Sequence, residues 1–251
     1  MIERFPWPPG FPDVVVHRRL AERDEHPAFP AAKSGDAVAA TRLAQDLLTR
    51  EGIDRLGAEL SGSDALIVPV TALETTGFNA IPDAMAGIIG AVLGLRVQSG
   101  VIVQSNRVGH TRASGWHRLV TPAAFEGPVG IGREHVLVDD HVGFGGTLAN
   151  LRGHIQGLRG VVLAMTTLTE TREARRIAVR AETLDVLREQ HGQALETLWR
   201  DTFGHGLNCL TDVEAAYLAR QPSVDAIRDR MAEAAEQARR ANLPAIALGG
   251  R

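Results

Sequence analysis

The chain has 251 residues, of which 44% are hydrophobic and only 4% aromatic. Its formal charge of −3 and isoelectric point near 6.3 leave no overall cationic field for gripping a nucleic-acid backbone, so no nucleic-acid partner is expected. Cys209 is the only cysteine, which excludes an intrachain disulfide. The N-terminal MIERFPWPPGFPD lacks the apolar run of a signal peptide, and the expectation is a reduced, cytoplasmic protein.

Residues 1–35 are proline-rich and read as an irregular segment that lies over a surface or links to a partner, outside the core. Gly35-Asp36 opens a helix whose Val38, Leu43, Leu47 and Leu48 share one face, and a short helix follows over about 53–60. Residues 65–70 read as a buried strand and 82–94 as a helix. Small residues there (Ala84, Ala86, Gly87, Gly90, Ala91) allow close packing on a sheet. The stretch 80–95 is interrupted by Pro82 and Asp83 and is too short to cross a bilayer, so no membrane partner is expected.

Residues 97–103 predict a second strand, 105–120 an excursion or hairpin, and 136–139 a third strand. A helix over 148–158 and a fourth strand over 161–167 follow. Residues 172–241 are mostly helical by pattern, ending in a polar helix over about 224–241. This alternation predicts an α/β fold, a parallel sheet flanked by helices, with helical N- and C-terminal additions. Three regions are expected: an extension with helices (1–60), a core (61–170) and a helical hood or interface (171–251).

The stretch HVLVDDHVGFGGTLANL, residues 135–151, carries the chemistry. An apolar strand ends in Asp139 and Asp140, and a glycine-rich turn (Gly143, Phe144, Gly145, Gly146) leads through Thr147 into a helix. Carboxylates can grip sugar hydroxyls or a magnesium ion, and backbone amides at a helix start can hold a phosphate. In a parallel sheet, ligands sit beyond the C-terminal strand ends, so 70–76 and 139–147 should share one rim.

In order and spacing this motif resembles the phosphoribosyl-diphosphate motif of type I phosphoribosyltransferases over about residues 60–170. The resemblance implies a type I phosphoribosyltransferase-like core. It also implies displacement of pyrophosphate from C1 of an activated ribose, with Mg2+ bridging sugar and pyrophosphate. Carried onto this chain, Asp139 and Asp140 would hold the ribose hydroxyls, directly or through the metal. The amides of Gly143, Phe144, Gly145, Gly146 and Thr147, with the Thr147 hydroxyl, would hold the 5-phosphate. Phe144 replaces a usual threonine. Gly143 stands where 6-oxopurine enzymes of the family carry an aspartate base, which argues against hypoxanthine- or guanine-type activity. His141 stands at a usually apolar position, as a base or a packed side chain.

The resemblance also implies a pyrophosphate loop after the first core strand, here residues 70–75 with Thr71 and Ala72 as substrate contacts; Glu74 stands where a cation is usual and is a catalytic candidate, as a metal ligand or a base for the incoming nucleophile, or else an exposed loop acid. The excursion would be a closing hairpin, in which Arg107 and Arg112 are the natural pyrophosphate cations and His110 a further substrate contact. Homodimers are common in the family. The reading is a phosphoribosyltransferase acting on an unidentified base or small nucleophile. The alternatives are a non-catalytic sensor of phosphoribosyl diphosphate or a nucleotide, or a nucleotide-cleaving enzyme on the same fold.

Overall fold

The computed structural model describes residues 2–74, 77–108 and 113–247, with residues 73 and 74 described by backbone alone. In chain order the elements are β1 (Val15–Val16), α1 (Leu20–Asp24), α2 (Phe29–Lys33), α3 (Ala37–Leu47) and α4 (Arg50–Leu60). Then come β2 (Leu66–Pro69), β3 (Leu73–Glu74), β4 (Gly77–Phe78), α5 (Ile81–Leu93), β5 (Val103–Gln104), α6 (Gly115–Val120) and β6 (Phe125–Glu126). The last are β7 (Glu134–Val142), α7 (Gly146–Gly157), β8 (Val161–Glu170), α8 (Ala181–Phe203), α9 (Asp212–Ala219) and α10 (Val224–Arg240).

The fold is α/β. A parallel sheet in the order β1-β8-β7-β2 lies between two layers of helices. Its central strands are apolar runs because both faces are covered. Val136, Val138 and Ile67 pack with α3, α4 and α5 on one face, whereas Leu137, Val68 and Met165 pack with Leu151 and Ile155 of α7 on the other. A separate apolar cluster built on Trp199, Leu218 and Met231 holds α6 and α8–α10 together. No described helix is long and apolar enough to cross a membrane.

The N-terminal region departs from expectation. It is not irregular throughout: β1 forms the sheet edge beside β8, and His17 and Arg18 extend the backbone pairing to Thr167 and Leu168. The stretch before it straps α7, where Arg152 donates to the carbonyls of Phe5 and Pro6 and its guanidinium lies 4.3 Å from the Trp7 ring centroid. Composition hid this, because a two-residue strand leaves no periodic pattern. In α3, Asp36 caps the start as its position suggested, but Val38 is 82% exposed, and Ala40, Leu43, Ala44 and Leu47 form the inward face.

The expected strand over 97–103 is not continuous. Val97 bridges Ile67 and Val103 bridges Thr71, with Gly100 at φ 65° turning the chain between them. β5 then pairs antiparallel with β6, bracketing the excursion, which contains the helix α6.

Candidate active site

β7 carries Asp139 and Asp140 to the C-terminal end of the sheet, and the chain turns through Gly145, at φ 76°, into α7. α7 opens without a side-chain cap, so its first amides are available to an acceptor. A cavity of about 50 Å³ lies over this turn, lined by Asp139, His141, residues 143–147, Arg118 and Glu214. The whole predicted glycine turn and Thr147 therefore line one small cavity with one of the two predicted acids.

The acidic pair divides. Successive strand residues point to opposite faces. Asp139 lines the turn cavity, and Asp140 does not. Instead Lys33 at the end of α2 donates to Asp140 Oδ2 at 2.9 Å, and an Arg23 nitrogen lies 3.7 Å from the same oxygen. Burial works against ionisation of both acids. In Asp140 the adjoining Lys33 and Arg23 outweigh it and hold the carboxyl below the usual range. Asp139 has no ion pair among the described residues and accepts the Asp140 amide at 2.8 Å. Burial and the neighbouring Asp140 charge push its carboxyl well above the usual range.

This division bears on the metal expectation. A buried carboxylate lacking a counter-cation suits a divalent ion, whereas Asp140 already has two cationic neighbours. Mg2+ readily takes one protein carboxylate with its remaining ligands from substrate oxygens, so the residues present fit it at Asp139 and not at Asp140. Among the described residues no cluster of three or more His, Cys, Asp or Glu could hold a metal unaided.

His141 is fully engaged. Its Nδ1 and Nε2 each lie 2.9 Å from a threonine hydroxyl, of Thr169 and Thr171 respectively. Burial, with the nearby Arg23, lowers its pKa to about 4, which leaves a neutral, packed imidazole. Of the two outcomes open in the sequence, this geometry matches packing.

Thr71 lies two residues past β2, with its main chain tied to β5 through the Gln104 amide, 2.8 Å from the Thr71 carbonyl. Its buried hydroxyl has no hydrogen-bond partner among the described residues. A group left this way costs stability unless a ligand engages it. Ala72 is half-buried beside it. Glu74 lies on β3, and its side chain is outside the described residues, as are His110 and Arg112. Arg107 is exposed and does not line the turn cavity. The excursion contributes Arg118 there instead, carried on α6.

Phe144 faces the C-terminal region. Its ring meets Tyr217 of α9 edge-on at 5.2 Å, and Tyr217 meets Trp116 at 5.0 Å. The Thr211 hydroxyl donates to the Phe144 carbonyl at 2.6 Å. Glu214 approaches Gly146, where an added Cβ would lie 3.0 Å from Glu214 Oε1. Its charge is offset by Arg4, 2.6 and 3.1 Å from the two carboxylate oxygens. The side chain that departs from the motif is therefore the one that docks the C-terminal helices onto the turn. Sequence reasoning missed Arg4, Arg23, Lys33, Thr211 and Glu214, because each lies far along the chain from the motif. The lone lysine and the Thr211-x-x-Glu214 capping box were the available signals.

A larger cavity, about 870 Å³, lies elsewhere, along α7 between Asn106, His154, Trp199, Phe203 and residues 244–247. Size alone does not bring it to the chemistry: neither Asp139 nor the glycine turn lines it, and the smaller cavity is the candidate site.

No family model matches the chain. It is 41% identical over 236 residues to Protein TraN of Escherichia coli, covering 94% of this chain and 52% of that protein. It is 38% identical over 152 residues to an uncharacterized protein of Haemophilus influenzae, covering 61% of this chain and 34% of that protein. The chain thus spans about half, or less, of these relatives. Solved structures that resemble it include the adenine phosphoribosyltransferase of Leishmania donovani, with TM-score 0.32 and 13% identity over 67% of this chain and 90% of that one. Another is a purine phosphoribosyltransferase of Pyrococcus horikoshii, with TM-score 0.29 and 19% identity over 48% of this chain and 80% of that one.

Proposed function

We propose that this chain binds 5-phosphoribosyl diphosphate with Mg2+ and transfers the phosphoribosyl group to a base or small nucleophile, releasing pyrophosphate. The observation that carries this reading is Asp139: a buried acid with no ion pair among the described residues, in one cavity with a glycine turn and an uncapped helix start. A cationic sugar carbon and a bound metal would favour its ionised form, and a phosphate would take the amides. Both halves of a phosphorylated, activated pentose are thereby provided for.

In this reading the amides of residues 143–147 and the Thr147 hydroxyl bind the 5-phosphate, with Arg118 adding positive charge. Asp139 faces the ribose, where its charge stabilises positive character developing at C1. Thr71 donates its buried hydroxyl to the substrate. Magnesium, when bound, screens the diphosphate oxygens and makes them a better leaving group. The acceptor's lone pair forms the new bond to C1 as the C1–oxygen bond breaks, and that bond's electrons leave with pyrophosphate.

The test is isothermal titration with phosphoribosyl diphosphate and Mg2+, followed by a pyrophosphate-release assay across nucleobases and small amines. Binding with release supports the proposal. Binding without release from any acceptor supports the sensor reading, and no binding at all removes both.

A further inference from the structure

Helix α5, IPDAMAGIIGAVL, is apolar on every side and holds one charged residue, Asp83. Ile81, Met85 and Ile89 on its inner face are fully buried, in one cluster with Ile67, Val136 and Val138 of the sheet. Its outer face stays in solvent: Gly87, Ala91 and Val92 are exposed, and Ala84 and Ile88 are half-buried. The neighbouring helices behave differently. α3 turns Thr41, Arg42, Gln45 and Asp46 outward, and α4 turns Arg50, Asp54, Arg55 and Glu59 outward. A helix that is apolar all round is ordinarily covered all round. The Ser99 hydroxyl donates to Asp83, which brings the turn carrying Val101, 38% exposed, beside the first turn of α5 and widens the apolar surface.

We propose that the outer face of α5 is a twofold interface, covered by α5 of a second copy of this chain running antiparallel to it. Shape and charge both favour a second copy over a different partner. A twofold contact must be complementary to itself: where residue i meets residue j, j also meets i. With the axis passing between Ile89 and Gly90, Ile88 meets the partner's Ala91, and Val92 meets the partner's Gly87. Each bulky side chain is set against a small one in both directions, so the two helices can approach closely.

The same register brings Asp83, at the start of α5, opposite the partner's Arg96. Arg96 is exposed just past the Gly94 cap that ends the helix. The twofold makes this ion pair twice, one at each end of the apolar contact. Moving the axis onto Ile88 would set two isoleucines against each other and leave Asp83 opposite the partner's Leu93. The interface is independent of the transfer reading, since neither Asp139 nor the glycine turn takes part in it. A contact one helix long, about 20 Å, is small for a permanent dimer, and a Kd on the order of 10 µM is expected.

The test is sedimentation velocity of the whole chain over a concentration range from about 1 to about 200 µM, bracketing that Kd. A monomer–dimer equilibrium is expected. Val92→Glu should weaken it about tenfold or more, whereas Val186→Glu, at a similarly exposed valine on α8, should leave it within about twofold. Arg96→Asp should also weaken association, and adding Asp83→Arg should regain most of the loss. Thermal melts establish that each variant is folded. A chain that stays monomeric throughout, a dimer indifferent to Val92→Glu or Arg96→Asp, or a charge swap that regains nothing overturns the proposal.

Discussion

Arg4 and Glu214 form a two-pronged ion pair against the first residue of α7, with 9% and 3% of their side chains exposed. The same guanidinium donates to Asn150 within that helix, at 2.6 Å. A segment near the start of the chain and the C-terminal helices thus meet at the glycine turn, and the pair offsets a carboxylate beside the proposed phosphate site.

Arg4→Met leaves Glu214 buried without its counter-charge and should cost about 3–5 kcal/mol in a urea melt. Adding Glu214→Gln should recover a good part of that loss. If the single variant melts like the parent, the pair contributes nothing.

The two adjacent acids should respond in opposite directions to amide substitution. Asp139→Asn replaces a buried acid whose ionisation is disfavoured by burial and by Asp140, and the ligand-free protein should hold steady or gain about 1 kcal/mol while losing phosphoribosyl diphosphate binding. Asp140→Asn takes the counter-charge from Lys33 and Arg23 and should lose roughly 1–3 kcal/mol. Parallel thermal melts decide it, and equal shifts would contradict the division of the pair.

Thr71→Val should leave folding stability unchanged or slightly raised, because an isosteric methyl replaces a buried hydroxyl that has no hydrogen-bond partner among the described residues. Affinity for phosphoribosyl diphosphate should fall about fivefold to tenfold. A large drop in melting temperature would mean that the hydroxyl already has a structural partner.

His17 gives the protein an acid-sensitive latch. The Thr49 amide donates to Nδ1 at 3.1 Å, so Nε2 must carry the proton toward the Thr166 hydroxyl, and that hydroxyl donates to the Val15 carbonyl. Burial, then Arg18, lowers the pKa from 6.5 to about 4. The unfolded chain therefore takes up a proton that the native state refuses. Stability should be full above pH 6.5 and decline toward pH 4, by on the order of 3 kcal/mol from this residue. His17→Gln should flatten that limb in melts recorded across the range, and an unchanged slope would exonerate the imidazole.

Gly153 lies under the N-terminal strap, where a methyl group would collide with the Glu3 carbonyl oxygen. Neither backbone can yield cheaply, so Gly153→Ala should destabilise by about 1–3 kcal/mol and speed proteolytic cleavage before Trp7. Cleavage at the parental rate would show that the strap tolerates displacement.

The central strands, α5, α7 and the long C-terminal helix were readable because each is a sustained apolar run or a sustained helical period. The glycine turn was readable because its residues are contiguous and glycine has few reasons to cluster. β1 was not, since Val15 and Val16 alone make no pattern. The partners of the site were hidden for a different reason. Lys33 lies 107 positions from Asp140 and Arg4 lies 210 from Glu214, and no local rule links residues so far apart. Phe144 looked like a damaged motif position until Tyr217 supplied its neighbour.

The first strand in the chain is the last that can take its place in the sheet. Val15 and Val16 pair with Thr166 and Thr167, which emerge from the ribosome some 150 residues later. Until β8 has formed, the leading segment has no template to pair with. The cost of closing so long a loop is met late. Completion of the sheet edge should therefore lag behind collapse of its centre, and a nascent chain halted before β8 would leave Val15 and Val16 unpaired.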